Sequence, residues 1–192
     1  MEKFKLVRPT SEYKSQAIEY IQEAHKYKSS FNGGGGLEKF GDNYEGWLEK
    51  IEKDRNIIAN EDRVPAETLF LVRENDDKLV GIINIRLGLN EKLRKHYGHI
   101  GYNIRPTERR KGYNKINLYL ALLICQKHGI KKVMLTCDKE NLGSAKTIQH
   151  FDAELEKEFY DDEIYHCIKQ HYWINVDEAI ESKKSEFEKY IV

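Results

Sequence analysis

The chain has 192 residues, enough for one large domain or two small ones with a substantial core. Its 32 Lys and Arg residues equal its 32 Asp and Glu residues, and this balance argues against a general nucleic-acid-binding protein. Three cysteines without metal-type spacing, no signal-like start and no apolar stretch of about 18 residues predict a cytoplasmic protein that does not span a membrane.

The predicted elements are strands and helices in mixed order. The first part is predicted to hold a strand over residues 4–7, a helix over 12–28 and a helix within 37–54, with four consecutive glycines at 33–36 between the helices. The middle is predicted to hold strands over 68–72, 79–87 and 99–104, a helix over 112–128 and a strand over 132–137. The last part is predicted to hold a helix over 141–150, strands over 154–160 and 164–174, and a helix from 176 to 191.

The helix predicted over residues 112–128 has almost no polar face, so it is expected to be buried against a sheet. With the strands on either side it predicts one βαβ unit, whose two strands are parallel. Short turns join the other strands, which are therefore expected to be antiparallel. The predicted fold class is α/β, an α+β mixed sheet: one domain over 1–192 with about seven mostly antiparallel, twisted strands, helices on both faces and a C-terminal helix over 176–192.

The loop over residues 102–114 carries the clearest chemical signal. It is predicted to be a strand end, a proline turn and a helix start, and the first N–H groups of a helix have no intrahelical partner. The helix dipole and the side chains of Arg109, Arg110 and Lys111 add positive charge, and Gly112 allows a ligand to approach the backbone. This arrangement suits a pyrophosphate. A solvated charged turn is the alternative interpretation.

Two other phosphate-binding motifs do not occur in the sequence. A Walker A loop requires a Lys followed by Ser or Thr after its last glycine, and the glycine run at 33–36 has neither. The Gly-x-Gly-x-x-Gly pattern of dinucleotide-binding folds is also missing. The loop over 102–114 is therefore the candidate diphosphate site.

The spacing of Ile104, Pro106, Arg109, Gly112 and Asn114 resembles the acetyl-CoA loop of the GCN5-related N-acetyltransferases, the GNAT superfamily. That loop has an apolar residue, then Pro, then Arg or Gln, then Gly, and finally Gly or Ala. Asn114 departs from the last position, although Asn tolerates unusual backbone angles. The order of elements agrees over nearly the whole chain, and the resemblance is strongest to a bacterial branch of predicted acetyltransferases.

A second run supports the same resemblance. Residues 141–148 are similar to the Asn-x-x-Ala/Ser helix that follows the next strand in this family. Ile148 stands where many members have a Tyr that serves as general acid, so that mechanism is not available at this position. The resemblance implies a GNAT-like fold and direct transfer of an acetyl group from acetyl-CoA to the primary amine of a small molecule or peptide.

The resemblance also implies the residues that contact the donor. The backbone N–H near Ile104 is expected to bind the thioester oxygen, the loop to bind the pyrophosphate, and the helix that follows to contact the pantetheine arm. The expected acetyl-CoA-binding residues are Asn103, Ile104, Arg105, Arg109, Arg110, Lys111, Gly112, Tyr113, Asn114, Asn141, Ser144 and Lys146. No metal is expected.

The attacking amine must lose a proton, because a lysine-like amine has a pKa near 10.4. His99 and Tyr102, at the end of the strand before the loop, are the candidate catalytic side chains. A hydrogen-bonded sheet histidine and ordinary packing are the alternatives. Cys137 has no evident basic partner nearby in the sequence, and the family attacks directly, so covalent catalysis is disfavoured.

The acceptor is left open by the sequence. A small amine, an aminoglycoside-like antibiotic, a peptide N-terminus and a lysine all fit, and residues 31–40 are either a flap over the acceptor or an ordinary connector. The expected partners are acetyl-CoA or CoA, the amine and, in a homodimer, a second copy of the chain. Neither nucleic acid nor a membrane is expected. A non-catalytic acyl-CoA-binding sensor is the alternative function, and a nucleotide-binding domain is a third.

Overall fold

The computed structural model describes residues 2–192 and contains seven strands and five α-helices within them. The strands are β1 (Phe4–Val7), β2 (Ala66–Arg73), β3 (Lys78–Arg86), β4 (Ile100–Ile104), β5 (Lys132–Asp138), β6 (Glu154–Asp161) and β7 (Cys167–Asn175). The helices are α1 (Lys14–Lys26), α2 (Tyr44–Arg55), α3 (Tyr113–Lys127), α4 (Leu142–Gln149) and α5 (Val176–Phe187). The predicted order of elements and the α/β fold class are confirmed. None of the helices in the described residues combines the length and apolar character needed to cross a membrane.

The strands form two antiparallel sheets. One has the order β1-β2-β3-β4 and the other has the order β5-β7-β6. The prediction of one mixed sheet that contains a parallel strand pair is wrong in this detail, because the strands of residues 2–192 divide into two sheets and an isolated bridge between Gly98 and Leu135 is their only ladder contact. The physical reason lies beside that bridge. The Met134 N–H, which would continue a ladder, instead donates to the imidazole Nδ1 of His99 at 2.9 Å.

Apolar side chains bury both faces of the first sheet. Alternate residues of β2 point to opposite sides, so Leu69 and Leu71 belong to the core that includes α3 and α5, whereas Phe70 and Val72 belong to the core under α1 and α2. In α1 the buried residues recur every three or four positions, which explains why this stretch forms an amphipathic helix. The prediction of helices on both faces is confirmed.

The glycine segment at residues 33–36 is seated on β4. A Cβ on Gly33 would lie 2.3 Å from the Gly101 carbonyl oxygen, and Gly33 has a φ of 75°, so only glycine allows this close approach. The indole Nε1 of Trp47 donates to Gly34 O at 3.1 Å, and Lys50 Nζ donates to Gly35 O at 2.8 Å. This segment is therefore held by α2 on one side and by β4 on the other.

Candidate functional site

A cavity of about 130 Å³ opens between β4 and β5. Residues 100–102 of β4 and 136–138 of β5 form its two sides, and Asn141 and Ser144 at the start of α4 close one end. The cavity exists because the two strands share no ladder of hydrogen bonds. An elongated polar chain can therefore enter between the two sheets.

Backbone N–H groups of β4 point toward this gap. The alternation along β4 is set by the hydrogen bonds from Arg86 N to His99 O (2.8 Å) and from Arg105 N to Val80 O (2.9 Å). In an antiparallel pair every second residue turns its N–H away from its neighbour. The register therefore turns the N–H groups of Tyr102 and Ile104 away from β3, toward the side on which β5 lies. These two donors are placed where a carbonyl oxygen in the gap would accept from them.

The start of α3 lies beside open space. Gly112 is its N-cap residue with a φ of 83°, and a Cβ built there meets nothing within 4 Å. Arg110, two residues before Gly112, also has a positive φ, of 65°. Left-handed residues before a helix bring successive N–H groups together into a concave anion site. The backbone at 110–114 therefore suits a diphosphate, as the sequence predicts.

The side chains of Arg105 and Arg109, which were predicted to contact acetyl-CoA, bind other parts of the protein instead. Arg105 turns toward α1, where its Nε donates to Glu23 and its Nη2 lies 3.4 Å from Glu19. Arg109 donates to Ile104 O at 2.8 Å and to the Asn103 side chain at 3.2 Å. Both guanidinium groups are thus bound within the protein. They position β4 and the loop rather than a ligand.

The side chains of two further residues predicted to contact acetyl-CoA are also bound within the protein. The Asn103 amide accepts from Tyr20 at 3.0 Å and donates to Ser30 O at 2.7 Å. The Tyr113 hydroxyl donates to the Glu2 carboxylate at 2.6 Å, and its ring lies 4.7 Å from the ring of Phe4. Of these two residues, Tyr113 can offer its backbone to acetyl-CoA, whereas the register of β4 turns the backbone N–H of Asn103 toward β3.

Glu108 is a buried carboxylate that the sequence interpretation missed. It is 3% exposed and accepts from Lys111 at 2.7 Å, from Lys78 at 2.6 Å and from Arg73 at 3.2 Å. The charge of Lys111 is therefore largely neutralised. Glu108 and Lys111 are three residues apart in the sequence, a spacing at which side chains of opposite charge form an ion pair on a helical turn. Among the described residues, Arg110 and Lys146 make no ion pair and are available to an anion.

His99 is a buried histidine held between the two sheets. Its Nδ1 accepts from Met134 N–H, so the neutral ring carries its proton on Nε2. Burial, followed by the nearby charge of Arg86, lowers the pKa of His99 to about 4. With one nitrogen occupied and the other protonated, the ring has no free lone pair to accept a proton. This geometry matches the hydrogen-bonded sheet histidine that was the alternative interpretation.

His99 should make stability depend on pH. Its pKa is lower in the folded chain than the usual 6.5, so the unfolded chain binds more protons as the pH falls and stability is lost between pH 6.5 and pH 4. We expect His99 to account for about 2 kcal/mol of the free energy of unfolding lost between pH 7 and pH 5. His99→Asn keeps an acceptor for the Met134 N–H. Urea unfolding at pH 7 and at pH 5 should show that this variant loses about 2 kcal/mol less stability between the two pH values than the unmodified protein does.

The surface variant His25→Asn, which makes the same substitution at an exposed histidine, is the control for this measurement. His171 is also buried, and burial lowers the pKa of its ring to about 4, but it contributes equally to both proteins being compared. An unchanged pH difference in His99→Asn would contradict the assignment.

Tyr102 and Ser144 meet at the cavity, as their predicted roles require. The Tyr102 hydroxyl lies 2.9 Å from Ser144 Oγ, and the Ser144 N–H donates to the Asn141 side chain at 3.1 Å, which caps α4. Burial raises the pKa of Tyr102 well above its usual value. The hydroxyl is therefore protonated at neutral pH and can donate a hydrogen bond into the cavity. Asn114 has a buried Oδ1 with no partner in residues 2–192, and it lies on the first turn of α3 near this point.

A histidine–aspartate pair that the sequence interpretation missed also borders the cavity. His96 Nδ1 lies 2.7 Å from Asp161 Oδ2, and His96 Nε2 lies 3.2 Å from the exposed Glu163 carboxylate. Burial alone would raise the pKa of Asp161, but hydrogen bonds from His96 and from the backbone N–H groups of Ile164 and Tyr165 lower it to about 2. The two partners are 65 residues apart, so no local spacing could reveal them.

His96 is placed by an irregular stretch of chain. Residues Leu93–Tyr97 form one π-helical turn before β4, and such turns are frequent at functional sites. The Thr136 hydroxyl on β5 donates to His96 O at 3.2 Å. This bond and the Asp161 carboxylate hold the ring against the gap. An aspartate on Nδ1 leaves Nε2 to accept or donate a proton.

A second cavity of about 470 Å³ lies over β3 and the glycine segment. Both cavities are lined by Asn32, Gly33, Arg86, Tyr97 and Tyr165. The two spaces therefore meet at these residues. One cavity lies along β4, and the other lies against the glycine segment and α2. Within residues 2–192, no cluster of His, Cys, Asp and Glu side chains has the composition to hold a metal ion.

Solved structures with the same fold include several acetyltransferases. The microcin C7 self-immunity acetyltransferase, in complex with acetyl-CoA and AMP, has a TM-score of 0.64 and 19% identity, covering 90% of this chain and 92% of that one. The ribosomal-protein-S5-alanine acetyltransferase of Vibrio fischeri has a TM-score of 0.68 and 15% identity, covering 92% and 95%. The spermidine/spermine N-acetyltransferase of Vibrio cholerae has a TM-score of 0.62 and 11% identity, covering 94% and 99%. At these identities the likeness shows the fold.

The family is shown by a different comparison. A search of curated protein sequences finds no match. Residues 37–152, which are more than half of the chain, match the model of the acetyltransferase (GNAT) family. This range contains the glycine-capped start of α3, the open edge of β4 and the cap of α4. The chain belongs to the GNAT family of acetyltransferases and is an acyltransferase.

Proposed function

We propose that the protein transfers the acetyl group of acetyl-CoA directly to a primary amine of a small molecule or peptide. The observation that carries this proposal is the open edge of β4, where the register turns the N–H groups of Tyr102 and Ile104 away from β3 and the Tyr102–Ser144 pair faces the cavity. Solved structures of the same fold hold acetyl-CoA or CoA, which supports the donor. We also propose that residues 1–192 act as one catalytic domain.

The residues present fit this donor. The cradle at the start of α3 is open where a side chain at Gly112 would fill it, and Arg110 and Lys146 supply cations for a diphosphate. Acetyl-CoA supplies the acetyl group as a thioester. The N–H of Ile104 then donates to the thioester oxygen. A donor aimed at a developing oxyanion is worth about 3–4 kcal/mol.

His96 is the base in this proposal. Asp161 holds Nδ1–H, so Nε2 presents its lone pair toward the cavity once a substrate amine displaces the exposed Glu163. Nε2 takes the proton of the attacking amine as the new C–N bond forms. His99 is not given this role, because its Nδ1 already accepts from the Met134 N–H and its Nε2 carries the proton of the neutral ring. The same carboxylate-oriented imidazole serves as base in many unrelated enzymes.

Tyr102 is the acid in this proposal. Its hydroxyl gives a proton to the leaving sulfur as the C–S bond breaks, which yields CoA and the N-acetylated amine. Tyr102→Phe should lower kcat about tenfold and leave KM for acetyl-CoA nearly unchanged, because a thiolate with a pKa near 8.5 leaves fairly well unassisted. Ser144→Ala keeps the phenol and should lose less activity. Equal losses in both variants, measured by CoA release, would remove Tyr102 from this role.

The chemical class of the acceptor amine does not follow from the fold. Similar structures are named for acetylating a ribosomal protein or a polyamine, and one holds AMP beside acetyl-CoA. Acceptors thus differ widely on this fold, so the acceptor must be inferred from this chain's own cavity.

The experiment that tests the proposed function measures free thiol during incubation with acetyl-CoA and a panel of amines. The panel contains amino acids, peptides with free N-termini, polyamines and aminoglycosides. Mass spectrometry of the amine should show the addition of one acetyl group. Tight CoA binding without thiol release for any amine would favour the non-catalytic sensor instead.

A further inference from the structure

Arg86 is a half-buried cation without a carboxylate partner among residues 2–192. Its Nη1 donates to the backbone oxygens of Gly98 at 3.0 Å and Tyr97 at 3.5 Å, while Nε and Nη2 have no acceptor among residues 2–192. Within that range no carboxylate lies within 4 Å of its guanidinium group, and burial lowers the pKa of Arg86 to about 10 even though Tyr165 and Tyr97 act in the opposite direction. Buried charges in proteins are normally paired.

The other enclosed cations of this chain follow that rule. Arg105 is paired with Glu23, and Lys169 Nζ lies 2.7 Å from Asp138 Oδ1. Arg73 lies 3.2 Å from Glu108. Arg86 differs because its free nitrogens face the place where the two cavities meet. A guanidinium fork with unused donors is the group best matched to a carboxylate or phosphate.

The larger cavity is positively charged overall. Its basic residues are Lys39, Lys50, Arg63, Arg86 and Lys92, and its acidic residues are Glu38, Asp54 and Asp62. Asp54 is already neutralised by Lys50 at 2.6 Å and by Arg63. A polycationic amine would therefore be repelled, while an amine that also carries negative charge would be attracted.

We propose that Arg86 binds an anionic oxygen group of the acceptor, so that the acceptor is an amine bearing a carboxylate or a phosphate close to the reacting nitrogen. The proposal rests on the proposed acetyl transfer and specifies its substrate class. Anchoring the anion on Arg86 would place the amine at the junction of the cavities, beside the thioester held along β4. Amino acids and phosphorylated amines fit this description, and polyamines do not.

The kinetic test compares matched acceptors. Amino acids are compared with their amides, O-phosphoethanolamine is compared with ethanolamine, and spermidine is included as a polycation. We expect at least about a tenfold higher kcat/KM for one anionic set over its uncharged partners, and the better set identifies carboxylate or phosphate. In Arg86→Met that ratio should fall to about one, and Arg86→Lys should keep part of it. Lys92→Met, which removes an exposed cation at the rim, should change the ratio far less.

The affinity of the protein for acetylated products tests the role of Arg86 without requiring catalytic turnover. Calorimetry on the CoA-loaded protein compares N-acetyl amino acids with N-acetyl amino amides, and N-acetylated O-phosphoethanolamine with N-acetylethanolamine. Wild-type protein should prefer an anionic form, and Arg86→Met should not. The inference is overturned if spermidine or the uncharged amines are used as well as the anionic ones, or if Arg86→Met preserves the preference. Absence of thiol release with every amine, together with an intact anion preference in binding, would instead count against acetyl transfer alone.

Discussion

Gly112→Glu is expected to weaken CoA binding by at least about 100-fold while the chain stays folded. The added carboxylate would extend into the open space at the first turn of α3 and bring negative charge to the proposed diphosphate cradle. Calorimetry with CoA measures the loss. The left-handed φ of 83° adds strain of about 1–2 kcal/mol, so stability must be followed in the same preparation.

The opposite end of α3 offers a matched control. Gly129 follows the helix, has a φ of 72° and also meets nothing within 4 Å of a built Cβ. Gly129→Glu therefore carries similar strain and the same added charge, far from the cradle. It should bind CoA as the unmodified protein does. Equal CoA affinity in both variants would contradict the assignment of the cradle.

His96→Gln is expected to lower kcat by about 100-fold or more and to leave KM for acetyl-CoA little changed. The substitution removes the nitrogen that takes the amine's proton, but it keeps a polar group of similar length beside Asp161. Steady-state thiol release at saturating acetyl-CoA measures the effect. Raising the pH should restore part of the activity, because the acceptor then loses its proton to solvent.

Two companion variants separate chemistry from folding. Asp161→Asn should also lower kcat, since the aspartate's control of the ring tautomer is lost. His99→Asn should retain most activity, because that ring serves the structure. A larger loss of kcat in His99→Asn than in His96→Gln would contradict the assignment of His96 as the base and favour His99 instead.

Much of the donor site could be predicted because it is local in sequence. The proline turn, Gly112 and the cap at Asn141 lie within short motifs, and their backbone geometry follows from residue type. The side chains of Arg105 and Arg109 could not be placed in this way. Their partners on α1 and β4 become neighbours only after folding, and a nearby carboxylate or carbonyl binds a guanidinium as readily as a phosphate does.

The proposed base, His96, could not be predicted for the same reason. His96 lies outside any recognisable motif, and its partner Asp161 comes from the other sheet. The parallel strand pair was wrong because one side chain, that of His99, took the hydrogen bond that a ladder needs. The periodicity of apolar residues predicts strands well. It does not reveal that a side chain, rather than a backbone carbonyl, will accept a strand's N–H.

The single bridge between the sheets also bears on how the chain folds. Apart from the bonds beside that bridge, every strand ladder lies within one sheet or the other, and hairpin-like neighbours such as β2 with β3 and β6 with β7 are close along the chain. Short loops cost little closure entropy, so both sheets can form early, and α3 then brings them together through its apolar surface. The crevice between β4 and β5 is thus a boundary in hydrogen bonding only, because one apolar core, which includes Leu71 and Leu135, is shared by the two sheets and ties them together.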